Sequence, residues 1–230
     1  MRVHLRRLAA ADGERVLAWR NSPEVSAYMY SDHLIGADEH ARWLASALQA
    51  RDRCFWVVEM DDAPVGLANL ARIDRDASRC EWAFYLAEPA TRGRGVGACV
   101  EYLVLGHVFE RLELNKLWCE VLVENAGVWR LHEAFGFTRE ALYRDHLRKG
   151  GVFRDVVGLG LLRRDWPAAK AAAEARLGGR FDMGALTIEA GPFRTAARGS
   201  PRPPARPPGR RTGRGRPRTA GPASPAGAGL

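Results

Sequence analysis

The feature that most constrains this chain is a strand, a glycine-rich turn and a helix in unbroken succession: EWAFYLAEPATRGRGVGACVEYLVLGHVFERL, residues 81–112. Gly93, Gly95 and Gly97 let a backbone approach a ligand with no Cβ in the way. The turn opens a helix expected from Gly95 to about Arg111, and the first N–H groups of a helix point outward at the positive end of its dipole. A diphosphate suits such a site. Arg92 and Arg94 add charges that pair with phosphate oxygens, and the Val96 amide completes the turn. Three other readings compete. A P-loop needs GxxxxGK[ST], and no Lys-Ser or Lys-Thr follows here. The dinucleotide fingerprint GxGxxG/A tolerates Ala98, but it belongs after the first strand of a parallel βαβ unit. Simple helix capping is the plainest of the three.

The surrounding pattern decides against the parallel unit. Val3–Leu8 reads as a strand and Asp12–Arg20 as a short helix with Val16, Leu17 and Trp19 inward. Asp38 is placed to cap a helix running to about Ala50, with Ala41, Leu44, Ala45 and Leu48 as its apolar side. Cys54–Glu59 and Val65–Ala71 read as strands around the turn Asp61-Asp62-Ala63-Pro64. Arg79–Leu86 is a third consecutive strand. The glycine turn therefore follows an antiparallel run. Beyond the helix come a strand at Lys116–Val123, a helix at Ala126–Phe135 stopped by Gly136, and a hairpin of Phe137–Arg148 with Val152–Leu162 around Lys149-Gly150-Gly151. The order is β-α-α-β-β-β-α-β-α-β-β, an α/β fold with no internal repeat.

About 25 residues after the turn lies a second block, VLVENAGVWRLHEAFGF, a strand ending near Asn125 and a helix closed by Gly136-Phe137. Arg92, Gly95 and Gly97 satisfy [R/Q]xxGx[G/A]. Together the two blocks resemble the GNAT family of N-acetyltransferases over residues 1–165. The resemblance implies a splayed, mostly antiparallel sheet of six to seven strands flanked by about four helices. It implies acetyl-CoA as donor, with no metal, lying in an opening between the strands Arg79–Leu86 and Lys116–Val123. Its pantetheine arm would follow the backbone of Phe84, Tyr85 and Leu86, its pyrophosphate the turn Arg92, Gly93, Arg94, Gly95, Val96 and Gly97. Asn125 would contact the cofactor, cap the following helix, or both.

The resemblance also implies direct acetyl transfer to a neutral amine in a ternary complex. The leaving thiolate is often protonated by a tyrosine in an L-Y-E-x-x-G-F setting. Here Leu131-His132-Glu133-Ala134-Phe135-Gly136-Phe137 puts His132 in that place, and a histidine donates a proton near neutral pH. Glu81 on the central strand and Glu124 beside Asn125 are the candidates for the base. Glu81 shares a strand face with Ala83 and Tyr85.

The N-terminal half decides the acceptor. Trp19-Arg20-Asn21, Tyr28-Met29 and Glu39-His40 through Trp43-Leu44 resemble the GNAT branch of pseudaminic acid biosynthesis. That branch acetylates the 4-amino group of UDP-4-amino-4,6-dideoxy-N-acetyl-β-L-altrosamine, a nucleotide sugar. In that reading Arg20 pairs with diphosphate, Tyr28, Met29 or Trp43 covers a ring, and Asn21 and His40 supply hydrogen bonds. The alternatives are a ribosomal-protein N-terminal acetyltransferase, and a non-catalytic CoA-binding interaction protein. A sugar enzyme needs a closed pocket on which Arg20 and His40 converge. A peptide enzyme needs an open groove between the hairpin and the N-terminal helices.

The net charge of +8 belongs to the end of the chain. Residues 194–230 hold nine arginines and no acid, so residues 1–193 are near neutral. That Pro/Gly/Ala/Arg stretch lacks the apolar content to offset its ordering entropy and is expected to be disordered. The domain itself is not expected to require nucleic acid; weak binding by the tail is all that the charge supports. Trp166–Leu177 reads as a further helix begun by Pro167. Residues 178–193 are left unassigned. No apolar run reaches the roughly 18 residues of a membrane span, and the N-terminus does not read as a signal peptide. Cys54, Cys80, Cys99 and Cys119 are scattered, without metal-type spacing, as reduced thiols of a cytoplasmic protein would be. A homodimer stays open.

Overall fold

A computed structural model describes residues 1–191 of the chain. The strands are β1 (Val3–Arg7), β2 (Cys54–Met60), β3 (Ala63–Asp74), β4 (Arg79–Leu86), β5 (Lys116–Leu122), β6 (Thr138–Lys149), β7 (Val152–Leu162) and β8 (Leu186–Ile188). The helices are α1 (Gly13–Asn21), α2 (Pro23–Ser26), α3 (Ala37–Gln49), α4 (Val96–Gly106), α5 (Ala126–Ala134) and α6 (Trp166–Gly178). A π-helical turn, His107–Arg111, continues α4. The arginine-rich segment expected to be disordered lies outside the described residues.

All eight strands join one sheet in the order β6-β7-β5-β4-β3-β2-β1-β8. Only β4–β5 and β1–β8 are parallel. Helices cover both faces. On one, α4 and α6 bury Val100, Val104, Trp166 and Leu177 against Trp56, Trp82 and Leu117. On the other, α1, α2 and α3 bury Val16, Trp19, Val25 and Ala47 against Phe55, Val57, Leu67 and Tyr85. This two-sided burial explains why β2 reads as the near-continuous apolar run CFWVV instead of an alternation.

Three local expectations are corrected. The β2–β3 turn is tighter than read: Asp61 and Asp62 both take positive φ (51° and 66°), so Ala63 and Pro64 already belong to β3. Two consecutive positive-φ residues are what a two-residue hairpin with native twist demands. Helix α3 begins at Ala37 after Gly36, so Asp38 sits in its first turn without capping it. Its inward stripe is His40, Trp43, Leu44 and Ala47, while Ala41, Ala45 and Leu48 face solvent. Counting His40 as polar hides that stripe. The eighth strand comes from the unassigned stretch. Leu186–Ile188 pairs with Val3–Leu5, and Trp56 Nε1 donates to the Glu189 carbonyl at 3.0 Å. Residues 166–188 therefore share one core with residues 1–165, through Trp166, Ala173, Leu177 and Leu186.

Candidate active site

The sheet forks at its centre. Arg79, Cys80 and Glu81 of β4 pair with Lys116, Leu117 and Trp118 of β5, and the pairing ends there. Beyond the fork β4 stays paired with β3 as far as Leu86, and β5 stays paired with β7 as far as Leu122. The β4 edge facing β5 is therefore left without a strand partner from Trp82 through Phe84, Tyr85 and Leu86. An extended ligand can use backbone groups left open in this way.

The glycine turn lies just past the end of β4. Gly93 and Gly95 take φ of 70° and 79°, which only glycine adopts at no cost. The amides of Gly95, Val96 and Gly97 have no backbone acceptor among the described residues and open α4. Arg92 and Arg94 are exposed, with Arg94 3.6 Å from Asp61. The Val96 side chain is buried in the core, so only its amide is offered. Phe181, from the stretch left unassigned in the sequence, packs over Gly95, 3.0 Å from where a Cβ would stand. Free amides, glycines and flanking arginines fit a diphosphate. Asn125 begins α5 half-buried, but its side chain caps nothing.

On the α1–α3 face, at the fork, lies a cavity of about 370 Å³. Arg20, Tyr30, Trp43, Asn69, Glu81 and Glu120 are among its walls. Glu81 and Ala83 reach it from β4, with Tyr85 on the same face as the alternation requires. Burial raises the Glu81 carboxyl, Arg72 at 3.2 Å pulls it down, and the Glu120 charge raises it again; the net direction is upward. The Tyr30 hydroxyl donates to Glu120 Oε2 at 2.8 Å. Burial and Glu120 keep that phenol protonated far above its usual range. Arg72 takes φ of 48° at a β3 bulge, which turns its guanidinium toward Glu81 and over Trp118.

Of the acceptor residues expected from the sequence, Arg20, His40 and Trp43 line this cavity. His40 is also a strut: Nε2 bonds to the Gly13 carbonyl at 2.8 Å and the ring stacks on Trp43. Burial lowers its pKa, so it is a neutral donor there. Asn21, Tyr28 and Met29 are not among the lining residues. The Asn21 side chain bonds the backbone of Ile35 in both directions, at 2.9 and 3.0 Å. Tyr28 faces solvent, and Met29 is buried in the α1–α3 core. Of the three, only Asn21 is spent on the loop that leads into α3.

The two other candidate proton carriers also stand apart from the cavity. Glu124 is exposed and bound to Arg154 at 2.9 Å, because β5 has already ended before it. His132 is buried on the opposite face, against Trp82, Phe84 and Phe137. Its Nδ1 lies 2.9 Å from Oε1 of Glu101, which is wholly buried on α4. Burial acts to lower the imidazole, but Glu101 and Cys119 outweigh it and raise it to about 10.

Sequence reasoning missed Tyr30, Asn69, Arg72, Glu101 and Glu120. Glu120 alternates with Trp118 along β5, and the parallel register sets Trp118 level with Glu81. Knowledge of that register would have brought the second carboxylate to the same face. Among the described residues, no group of three or more His, Cys, Asp or Glu is placed to hold a metal. None of their helices is long and apolar enough to cross a membrane.

Known proteins agree with this architecture. "Probable N-acetyltransferase YjcK" of Bacillus subtilis is 30% identical over 105 residues, 46% of this chain and 58% of that protein. A GCN5-related N-acetyltransferase from Brucella melitensis superposes with a TM-score of 0.66 at 26% identity, covering 80% of this chain and 86% of that one. The Vibrio cholerae spermidine N-acetyltransferase, solved with CoA and spermine, has the same fold, with a TM-score of 0.68 at 22% identity over 72% of this chain and 98% of that one. Residues 2–138 match the family model described as "Acetyltransferase (GNAT) domain", and this chain belongs to that family.

Proposed function

We propose that this protein transfers an acetyl group from acetyl-CoA to the amine of a small molecule held in the cavity at the β4–β5 fork. One observation carries the small-molecule reading. The tip of the β6–β7 hairpin is fastened to the loop after α2. Lys149 Nζ donates to the carbonyls of Ser26, Met29 and Ser31 at 2.8, 2.8 and 3.1 Å, and the Gly150 amide donates to Asp32 at 2.9 Å. This bridge closes the groove between hairpin and N-terminal helices that an extended peptide would need.

Acetyl-CoA, when bound, supplies the activated acetyl group. The turn Arg92–Gly97 would hold its diphosphate, the open edge of β4 its extended arm, and Asn125 would stand beside it. The chain's own residues do the rest. Glu81, half-buried at the fork and pushed upward by that burial and by Glu120, accepts a proton from the incoming ammonium so that the neutral amine attacks. Tyr30 holds Glu120 in place. Enclosure of the amine beside the open strand edge supplies orientation. His132, off the cavity and paired with Glu101 on the far side of β4, would lend positive charge to that side of the site when the thioester is cleaved. Arg20, His40 and Trp43 admit the nucleotide-linked 4-amino sugar expected from the sequence as one member of the acceptor class, without selecting it. The test measures CoA release against small amines, UDP-4-amino sugars and ribosomal-protein N-terminal peptides. Turnover of small amines above peptides is expected. Turnover of peptides alone would refute the reading.

A further inference from the structure

The cavity presents opposite charges at its two ends, and one end is unpaired. At the fork stand Glu81 and Glu120. Away from it stands Arg20 of α1. Arg20 Nη2 reaches Ser31 Oγ at 3.3 Å, but Nη1 is buried and has no hydrogen-bond partner among the described residues. The acid nearest in charge, Glu39, is turned to His33 at 3.0 Å. Lys149 faces the same region and is satisfied by carbonyl oxygens. The Tyr85 hydroxyl, buried within the field of Arg20, likewise has no partner. Between the two ends lies Asn69 of β3, level with Ala83 and 6% exposed, its Oδ1 also without a partner.

Buried polar atoms are nearly always satisfied, and a buried charged donor left open is strongly unfavourable. Four cavity-lining residues carry an orphaned atom. The Arg53 guanidinium is engaged by Ser46 and Asp52, and Trp82 belongs to the core of the other face, which leaves Arg20 and Asn69, one donor and one acceptor, to describe a complement. The donor asks for an anionic oxygen. The acceptor asks for an N–H. We infer that the acceptor is an amine that also carries an anionic group, a carboxylate or a phosphate. The anion pairs with Arg20, and the amine lies between Asn69 and the Glu81–Glu120 pair. This deepens the proposed acetyl transfer and rests on it for the identity of the amine end. It separates this chain from polyamine chemistry, because a second cationic group would meet Arg20.

The test has two arms. The first compares kcat/KM for amines matched in length that end in a carboxylate, a phosphate or a hydroxyl, with spermidine as the polycation. An anionic end is expected to raise kcat/KM by about tenfold or more over the hydroxyl, as a charge-assisted pair does. Spermidine is expected to fall below the hydroxyl. In Arg20→Gln the anion-to-hydroxyl ratio should collapse toward one. Arg20→Lys, which keeps the charge, should retain part of it, and more for phosphate than for the planar carboxylate. Thermal melts check that each variant is folded. The second arm titrates the amine-free carboxylate, phosphate ester and alcohol by calorimetry, with no chemistry required. Binding of either anion that is lost in Arg20→Gln supports the inference, and the tighter of the two identifies its source. Equal kcat/KM for charged and uncharged ends, or a preference for spermidine, overturns it. Arg20-dependent anion binding without turnover of any amine would refute the acetyl-transfer reading and leave the anion site standing.

Discussion

At the scale of single residues, the surroundings of Glu81 make its proposed role as base measurable. As a base it works only when ionised, so activity should fall on acidification through its raised pKa. Glu81→Gln should lower kcat by about 10²–10⁴-fold, the typical contribution of a positioned base. Its two charged neighbours pull in opposite directions. Glu120→Gln removes a repulsive charge, lowers the Glu81 pKa and moves the acid limb of kcat/KM to lower pH. Arg72→Met removes an attractive charge and moves the limb to higher pH. Initial rates across pH 5 to 9 in the two variants read this directly; limbs that move together would rule out Glu81 as the titrating base. Glu101 and His132 make a different prediction, about stability. The folded imidazole titrates near 10, against about 6.5 when unfolded. Its contribution is therefore full below about pH 6.5 and is lost as pH rises toward 10. Glu101→Gln, which leaves a buried imidazolium unpaired, should cost about 3–5 kcal/mol. The apolar pair Glu101→Leu with His132→Phe should cost far less and flatten the loss of Tm between pH 7 and 10, by calorimetry.

Elements show where the sequence was readable. The turn Arg92–Gly97 could be placed because glycine, arginine and helix start act locally, and the β1-to-β7 succession followed from apolar runs and turn residues. Helix α3 was found, but its buried side was misread, since His40 is inward only because the Gly13 carbonyl waits for it. The acceptor end of the site was half legible for the same reason. Arg20, His40 and Trp43 stand out by residue type, polar or aromatic beside apolar positions, without the inner side of α3 having to be known. Glu120, Asn69 and Tyr30 become site residues only through strand register and a loop fold that no local pattern encodes. The hairpin tip is such a long-range feature, joining residues more than 115 positions apart. Lys149→Met deletes three charge-assisted bonds at a half-exposed position, a loss of about 1–2 kcal/mol after allowing for solvent. Hydrogen exchange should accelerate at residues 26–36 and 146–154, and KM for small acceptors should rise with kcat little changed. Unaltered exchange in those segments would show that the tip is held by other means.

At the scale of the whole molecule, the last described strand closes the sheet that the first one opens. β1 would be an exposed edge without β8, and an unprotected edge invites pairing with other chains. Glu189 finishes the seam: its amide donates to the Leu5 carbonyl at 2.9 Å, and its carboxylate accepts from the Arg7 amide at 2.7 Å. Helix α6 and β8 also bring Trp166, Leu177 and Leu186 into the core, each nearly fully buried. Burial of a large apolar side chain contributes about 1.5–3 kcal/mol. Three of them make a large share of the roughly 5–15 kcal/mol that holds a domain together. A chain ended at Asp165 would keep both family blocks and every cavity residue, yet it should not fold. A chain ended at Gly191 keeps all eight strands and both cores, and should melt and turn over as the full chain does. Circular dichroism melts with CoA-release rates on the two truncations decide the matter. A folded, active chain ending at Asp165 would show that α6 and β8 are additions to a self-sufficient domain, and a loss of activity in the chain ending at Gly191 would assign the arginine-rich tail a part in the reaction.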